Sequence, residues 1–188
     1  MYPIQMQAGS RGIGMGYNEF VTQFEAICQE HLQEERAQAF AFLFYDMANG
    51  MVRRALREGN GFRLLHEKTG RDITLFYLHD QAVDAHWRSF NQRFMSTLGI
   101  EDQAKPPCMV FFRVHAGNIE DVSIYRIDEK STDPILIVAE LEQYVDDAIK
   151  QLKAEGDVSA LTDVGKLIAP IGSLIKVGEF LLKLRVAP

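Results

Sequence analysis

The sequence predicts an α/β protein in which helices flank a buried, mixed β-sheet. Residues 39–45 (AFAFLFY) form a continuous apolar run, which is typical of a strand that is buried on both faces. Residues 72–78 and 108–114 are two further strand patterns. Segments with apolar residues at three- and four-residue spacing separate these runs, and this alternation favours an α/β fold.

Length and composition favour one domain of ordinary globular character. The chain has 188 residues, of which 47% are hydrophobic and 24% are charged. Its formal net charge of −6 repels phosphate backbones, so we expect no general binding to nucleic acid. Cys28 and Cys108 are far apart in the sequence, and the first residues do not resemble a secretory signal. We therefore expect two free thiols in a cytoplasmic protein.

The first 16 residues predict a flexible arm, because they are rich in glycine and have no apolar period. The segment from Gly9 to Gly14 looks like the glycine loop of short-chain dehydrogenases. That loop needs a buried strand before it, and none is evident in residues 1–8. The Tyr-x-x-x-Lys pair of that family is also missing, since Tyr144 and Lys150 are six residues apart.

Residues 17–156 carry the elements of the predicted domain. Residues 17–36 have the apolar spacing of an extra N-terminal helix, and residues 47–57 predict a short helix. Residues 62–66 stay open between a continued helix and a strand that pairs with residues 73–78. Asp80 is placed to cap a helix that ends near Gly99.

The second half of this domain begins at two prolines, Pro106 and Pro107. The strand at residues 108–114 is followed by a Gly117 turn and a second apolar pattern, which predicts a β-hairpin. Asp133 as the cap and Pro134 at the first helical position then predict a helix that stops at Gly156.

Between residues 39 and 152 the order strand, helix, strand, helix, proline, strand, strand, helix resembles the thioredoxin-like fold. In that family a cis proline begins the third strand, and Pro107 followed by Cys108 and an apolar run is similar to that element. The redox motif Cys-x-x-Cys would fall within residues 46–51, where there is no cysteine. The resemblance therefore implies the scaffold without two-thiol exchange, and relatives of this kind often act as binding modules.

We accordingly expect a non-catalytic protein-binding or assembly module that uses no cofactor. Its partner would be another protein or a second copy of the chain. The predicted contact residues are at the start of the third strand and in the tail, residues 157–188, which we expect to be helical with one apolar side. They are Pro107, Cys108, Leu167, Ile168, Ile171, Leu174 and Ile175.

Two alternatives remain open at this point. Cys108 would serve a redox enzyme or sensor as a single thiol if a nearby cation or helix N-terminus lowered its pKa. The tail would instead make the chain a membrane-active or oligomerising effector. Its longest uncharged interval, residues 167–175, has nine residues and is too short to span a bilayer.

A metal site is not expected. His79, Asp80, Asp84 and His86 lie close together in the sequence, but they extend across a predicted junction between a strand and a helix. They do not share one face as the histidines of a His-x-x-x-His pair would.

Overall fold

Described residues form one mixed sheet with helices on both faces. In these residues seven strands are present: β1 (Tyr2–Ile4), β2 (Ala39–Phe44), β3 (Ile73–Leu78), β4 (Cys108–His115), β5 (Asn118–Arg126), β6 (Leu167–Ile171) and β7 (Ile175–Lys176). The computed structural model describes residues 2–4, 22, 24–27, 29, 39–45, 50–69, 73–78, 85–115, 117–127, 133–153, 167–171 and 175–185.

Strand β2 lies at the centre of the sheet. The strand order is β1-β3-β2-β4-β5-β6, and β7 also pairs with β5. β2 is parallel to β3 and antiparallel to β4, while β1 is parallel to β3. Every residue of β2 is buried, as the apolar run at residues 39–45 predicts. The α/β class and the mixed sheet are therefore confirmed.

Helices cover the sheet on both sides. Those with defined bounds are α1 (Gly50–Arg57), α2 (Gly61–Thr69), α3 (Ala85–Leu98), α4 (Pro134–Lys153) and α5 (Val177–Arg185). Residues 22, 24–27 and 29 are also helical, in agreement with the predicted N-terminal helix. α3 ends at Gly99, whose φ of 69° suits glycine and closes the helix as predicted.

Each face of the sheet has its own apolar core, because alternate residues of a strand point to opposite faces. Phe40, Phe42 and Phe44 of β2 face one core and Leu43 faces the other. The first core, here called the Phe cluster, includes Phe24, Phe40, Phe42, Phe44, Phe76, Phe94, Cys108, Val110, Phe112 and Phe180. The second, the Tyr cluster, includes Leu43, Tyr45, Val52, Leu56, Phe111, Tyr125, Ile137, Val138, Leu141 and Tyr144.

Residues 62–66, which the sequence left open, belong to helix α2. The strand alternative for them is therefore wrong. Gly61 begins this helix in very close contact with its neighbours. A Cβ at this position would lie 2.8 Å from the carbonyl oxygen of Ala55 and 3.2 Å from Cγ2 of Val138. The glycine thus allows α2 to pack against both α1 and α4.

Helix α4 starts as the sequence predicts. The backbone N–H of Ile135 donates a hydrogen bond of 2.8 Å to Oδ1 of Asp133, which is therefore the N-cap. Pro134 occupies the first helical position, where its missing N–H has no intrahelical partner to lose.

The N-terminus differs from the expected flexible arm at residues 2–4, which form β1. This strand pairs with β3 from Phe76 to Leu78. Pro3 is tolerated there because β1 is an edge strand in the described sheet. A strand does therefore precede the glycine segment, and the expectation that residues 1–8 contain no strand is wrong. The glycine segment itself lies outside the described residues.

The C-terminal tail also differs from the expected helical form. Residues 167–171 and 175–176 are strands, β6 and β7, and only residues 177–185 are helical. Pro170 disfavours a helix interior, and the β-branched Ile168 and Ile171 favour a strand. Proline fits β6 because β6 lies at the edge of the described sheet. The proposed stop at Gly156 lies outside the described residues.

Candidate functional site

The start of β4 lies beside the ends of two other strands. Cys108 pairs with Phe44 of β2 on one side and with Arg126 of β5 on the other. The Pro106–Pro107 peptide bond is cis, and Pro107 is buried. Its carbonyl oxygen accepts a 3.1 Å hydrogen bond from the N–H of Ile127. We call this region the Pro107 end of the sheet.

Cys108 is fully buried in the Phe cluster. Burial raises the pKa of its thiol from 9.0 to about 12, although the nearby charge of Arg126 acts in the opposite direction. A nucleophilic cysteine must be a thiolate that its substrate can reach. Neither condition is met, so the structure lends no support to the single-thiol alternative.

The predicted contact residues of the tail belong to the edge of the sheet. Leu167, Ile168 and Ile171 are backbone partners of Tyr125, Ile124 and Val122 in β5. Ile175 is the partner of Ile119. Leu174 lies outside the described residues. Residues 167–171 and 175–176 therefore extend the sheet, and only residues 177–185 of the described tail are helical.

Large exposed apolar side chains occur elsewhere. Among the described residues they are Ile135 and Leu136 at the start of α4, exposed to 72% and 61%, and Leu182 of α5, exposed to 62%. Residues 135–138 are four consecutive apolar residues, and successive helical positions turn by about 100°, so they cannot all face one core. That run was the signal in the sequence that could have revealed the exposed pair.

Helix α1, which packs against α4, carries two exposed arginines. Arg53 and Arg54 are exposed, and neither forms an ion pair within the part of the chain that the structure describes. The buried sides of α1 and α4 pack together in the Tyr cluster through Val52, Ala55, Leu56, Ile137, Val138 and Leu141. No pattern in the sequence singles out these arginines. We call Arg53, Arg54, Ile135 and Leu136 the α1–α4 surface.

The α1–α4 surface lies toward the Pro107 end of the sheet. Gly61 at the start of α2 approaches Val138, while Lys68 near the end of α2 contacts Asp146, so α2 and α4 run in the same direction. α2 leads to the start of β3, which pairs with Ala39 at the opposite end of β2 from Phe44. The first turn of α4 is therefore at the end where β4 begins.

Each acidic side chain of α4 forms an ion pair or a hydrogen bond with another residue of the protein. Nζ of Lys68 lies 2.7 Å from Oδ2 of Asp146 and 4.0 Å from Oε1 of Glu142, and these carboxylates raise the pKa of the lysine. The hydroxyl of Tyr144 donates to Glu140. Asp147 accepts hydrogen bonds from Gln143 and Lys150. Arg53 and Arg54 thus face no free carboxylate of α4.

No group of three or more metal-ligating side chains is present in the described residues. His79, Asp80, Asp84 and the side chain of His86 lie outside the described part of the chain. Within the same limits, no helix is both long and apolar enough to cross a membrane.

Comparison with known proteins gives no relatives. No family model, no curated protein and no solved structure matches the chain.

Proposed function

We propose that this chain is a non-catalytic protein-binding module on a thioredoxin-like scaffold and that its partner binds the α1–α4 surface. The observation that carries the proposal is the exposure of Ile135 and Leu136, at 72% and 61%, in a helix whose neighbouring residues Ile137 and Val138 are buried. Contiguous apolar surface that is exposed in the free chain is a feature of protein interaction sites.

The order of elements supports the scaffold. Between residues 39 and 153 it runs β2, α1 and α2, β3, α3, Pro107, β4, β5 and α4, which is the order on which the resemblance rests. β2 and β3 are parallel, and β4 and β5 form an antiparallel hairpin. The resemblance implies that the functional edge lies beside the start of β4, the end at which α4 also begins.

The location of the contact changes from the one predicted. Pro107 and Cys108 are buried, so a partner would meet the residues around them rather than their side chains. A partner also gains little from buried apolar groups, because binding energy comes from exposed groups that become desolvated. Ile135 and Leu136 meet that requirement.

The experiment is quantitative co-purification with an affinity-tagged chain in the organism from which the sequence derives. We expect the I135S/L136S variant to capture at least about tenfold less partner than the unchanged chain, because two apolar contacts are lost. Sedimentation velocity on the purified chain shows in parallel whether the partner is a second copy. If the partner is another protein, we expect the loss in co-purification. If the partner is a second copy of the chain, we expect the loss in sedimentation velocity.

The matched control is L182S. Leu182 is exposed to a similar extent, 62%, but lies on α5, which packs in the Phe cluster on the other face of the sheet. We expect this variant to keep the partner, and both variants to keep the thermal midpoint of the unchanged chain. Equal capture by I135S/L136S and the unchanged chain would contradict the proposal, as would a monomer that captures nothing.

A further inference from the structure

We infer that the partner presents an acidic amphipathic segment, with its apolar side on Ile135 and Leu136 and its carboxylates on Arg53 and Arg54. This inference rests on the function proposed above and states the chemistry of the partner at the same surface. It joins two independent observations, the exposed apolar pair of α4 and two exposed arginines of α1 that form no ion pair in the part of the chain described.

The α1 half of the surface carries positive charge. The chain has a net charge of −6, yet Arg53 and Arg54 are exposed and form no ion pair in the described residues. Other exposed cations of the described helices have partners: Arg63 lies 3.2 Å from Glu67, and Lys183 lies 2.9 Å from Glu179. The positive charge of α1 is therefore available to an external anion.

The neighbouring carboxylates do not cancel this charge. The four acids of α4 have intramolecular contacts with Lys68, Tyr144, Gln143 or Lys150. Asp133 caps α4 through the N–H of Ile135. Glu58 lies one turn beyond Arg54 and forms no ion pair with it in the described structure. Because Glu58 is a single carboxylate, it leaves the charge of at least one of the two arginines uncompensated.

The combination of charge and apolar surface selects the type of ligand. An anion without an apolar part would leave Ile135 and Leu136 in water, and an apolar ligand without charge would leave both arginines unpaired. Guanidinium groups bind carboxylates in a planar, often bidentate geometry. A helix with apolar residues on one side and glutamates beside them satisfies both halves of the α1–α4 surface.

The test uses two synthetic, fluorescein-labelled peptides with the same leucine stripe. One carries glutamate and the other lysine at the remaining positions, and binding is measured by fluorescence anisotropy. We expect the glutamate peptide to bind at least about tenfold more tightly at low salt, and this advantage to shrink as salt screens the charges. Equal binding of the two peptides, or no binding of either, would overturn the inference.

Two charge-reversal variants make the test specific to α1. R53E/R54E should remove or reverse the preference for the glutamate peptide. K176E/K183E changes the net charge by the same amount at exposed positions beside and on α5, and should leave the glutamate peptide preferred. If K176E/K183E abolishes the preference as fully as R53E/R54E does, the effect is one of net charge and the inference is wrong.

Failure of the inference and failure of the proposed function are distinguishable. Loss of the co-purified partner in I135S/L136S together with full retention in R53E/R54E would keep the binding surface and reject the acidic partner. Full retention in both variants would reject the surface itself.

Discussion

The two faces of the sheet are built differently. On the face of the Phe cluster, rings pack directly on one another, as shown by centroid distances of 4.5 Å between Phe42 and Phe94 and 4.9 Å between Phe42 and Phe76. On the face of the Tyr cluster, Tyr125 and Tyr144 bring hydroxyl groups into the core, and their rings lie 4.3 Å apart. The exposed pair Ile135 and Leu136 belongs to a helix of this second face.

We expect this difference to separate the roles of the two faces. The described residues of the Phe cluster are apolar side chains and the buried thiol of Cys108, and such close packing favours stability. The Tyr cluster contains buried polar groups and supports the helices that form the α1–α4 surface. Stability is therefore expected to depend more on the first face, and binding on the second.

The largest expected effect concerns Cys108 in the Phe cluster. A thiol pKa raised from 9.0 to about 12 leaves about a thousandfold less thiolate at pH 8, so alkylation by iodoacetamide should be slower by at least that factor in the folded than in the unfolded chain. Peptide mass mapping measures the rate at Cys108 separately from that at Cys28. Similar rates in the folded and unfolded states would show that this face is open.

The same pKa shift predicts how stability depends on pH. A raised pKa in the folded state means that the contribution of Cys108 is complete below pH 9, the value of the unfolded chain. It is lost as the pH rises toward about 12, because only the unfolded chain then ionises readily. The free energy of unfolding, measured by denaturant titration, should therefore depend on pH in a similar way for the unchanged chain and C108A below pH 9. Above pH 9 the two should diverge.

The next effect compares neighbours on β2 that face opposite cores. Phe42→Ala should lower the free energy of unfolding by about 3–5 kcal/mol, because the ring is fully buried and contacts several other rings. Leu43→Ala, also fully buried but facing the Tyr cluster, should cost less within a range of about 2–5 kcal/mol. Urea denaturation measures both. A greater loss for Leu43→Ala would reverse the proposed ranking of the two faces.

Much of this two-faced architecture could be predicted from local patterns. The apolar run at residues 39–45 indicated a central strand, and Asp133 with Pro134 located the start of α4 within a residue. Such signals are strong because they depend on neighbours in the sequence: a continuous apolar run needs cover on both faces, and a cap bonds to the next turn.

Features that depend on distant pairing could not be predicted in this way. β1 and β6 contain prolines and become strands only because β3 and β5 offer edges to pair with. The α1–α4 surface was missed for a related reason. Exposure of Ile135 and Leu136 follows from the position of α4 over the core. The lack of an ion pair at Arg53 and Arg54 among the described residues depends on which carboxylates already have partners.

The smallest expected effect tests the polar groups of the Tyr cluster. Tyr125 has a buried hydroxyl with no hydrogen-bond partner in the described structure, and burial raises its pKa above the ordinary value, assisted by the charge of Asp147. Tyr125→Phe should therefore leave the free energy of unfolding unchanged or raise it by up to about 1 kcal/mol. The matched variant Tyr144→Phe should lower it by about 1 kcal/mol, because the hydroxyl of Tyr144 donates to Glu140. Urea denaturation of both variants at pH 7 decides the comparison: equal losses would mean that the Tyr125 hydroxyl has a partner, and that both buried tyrosines stabilise this face.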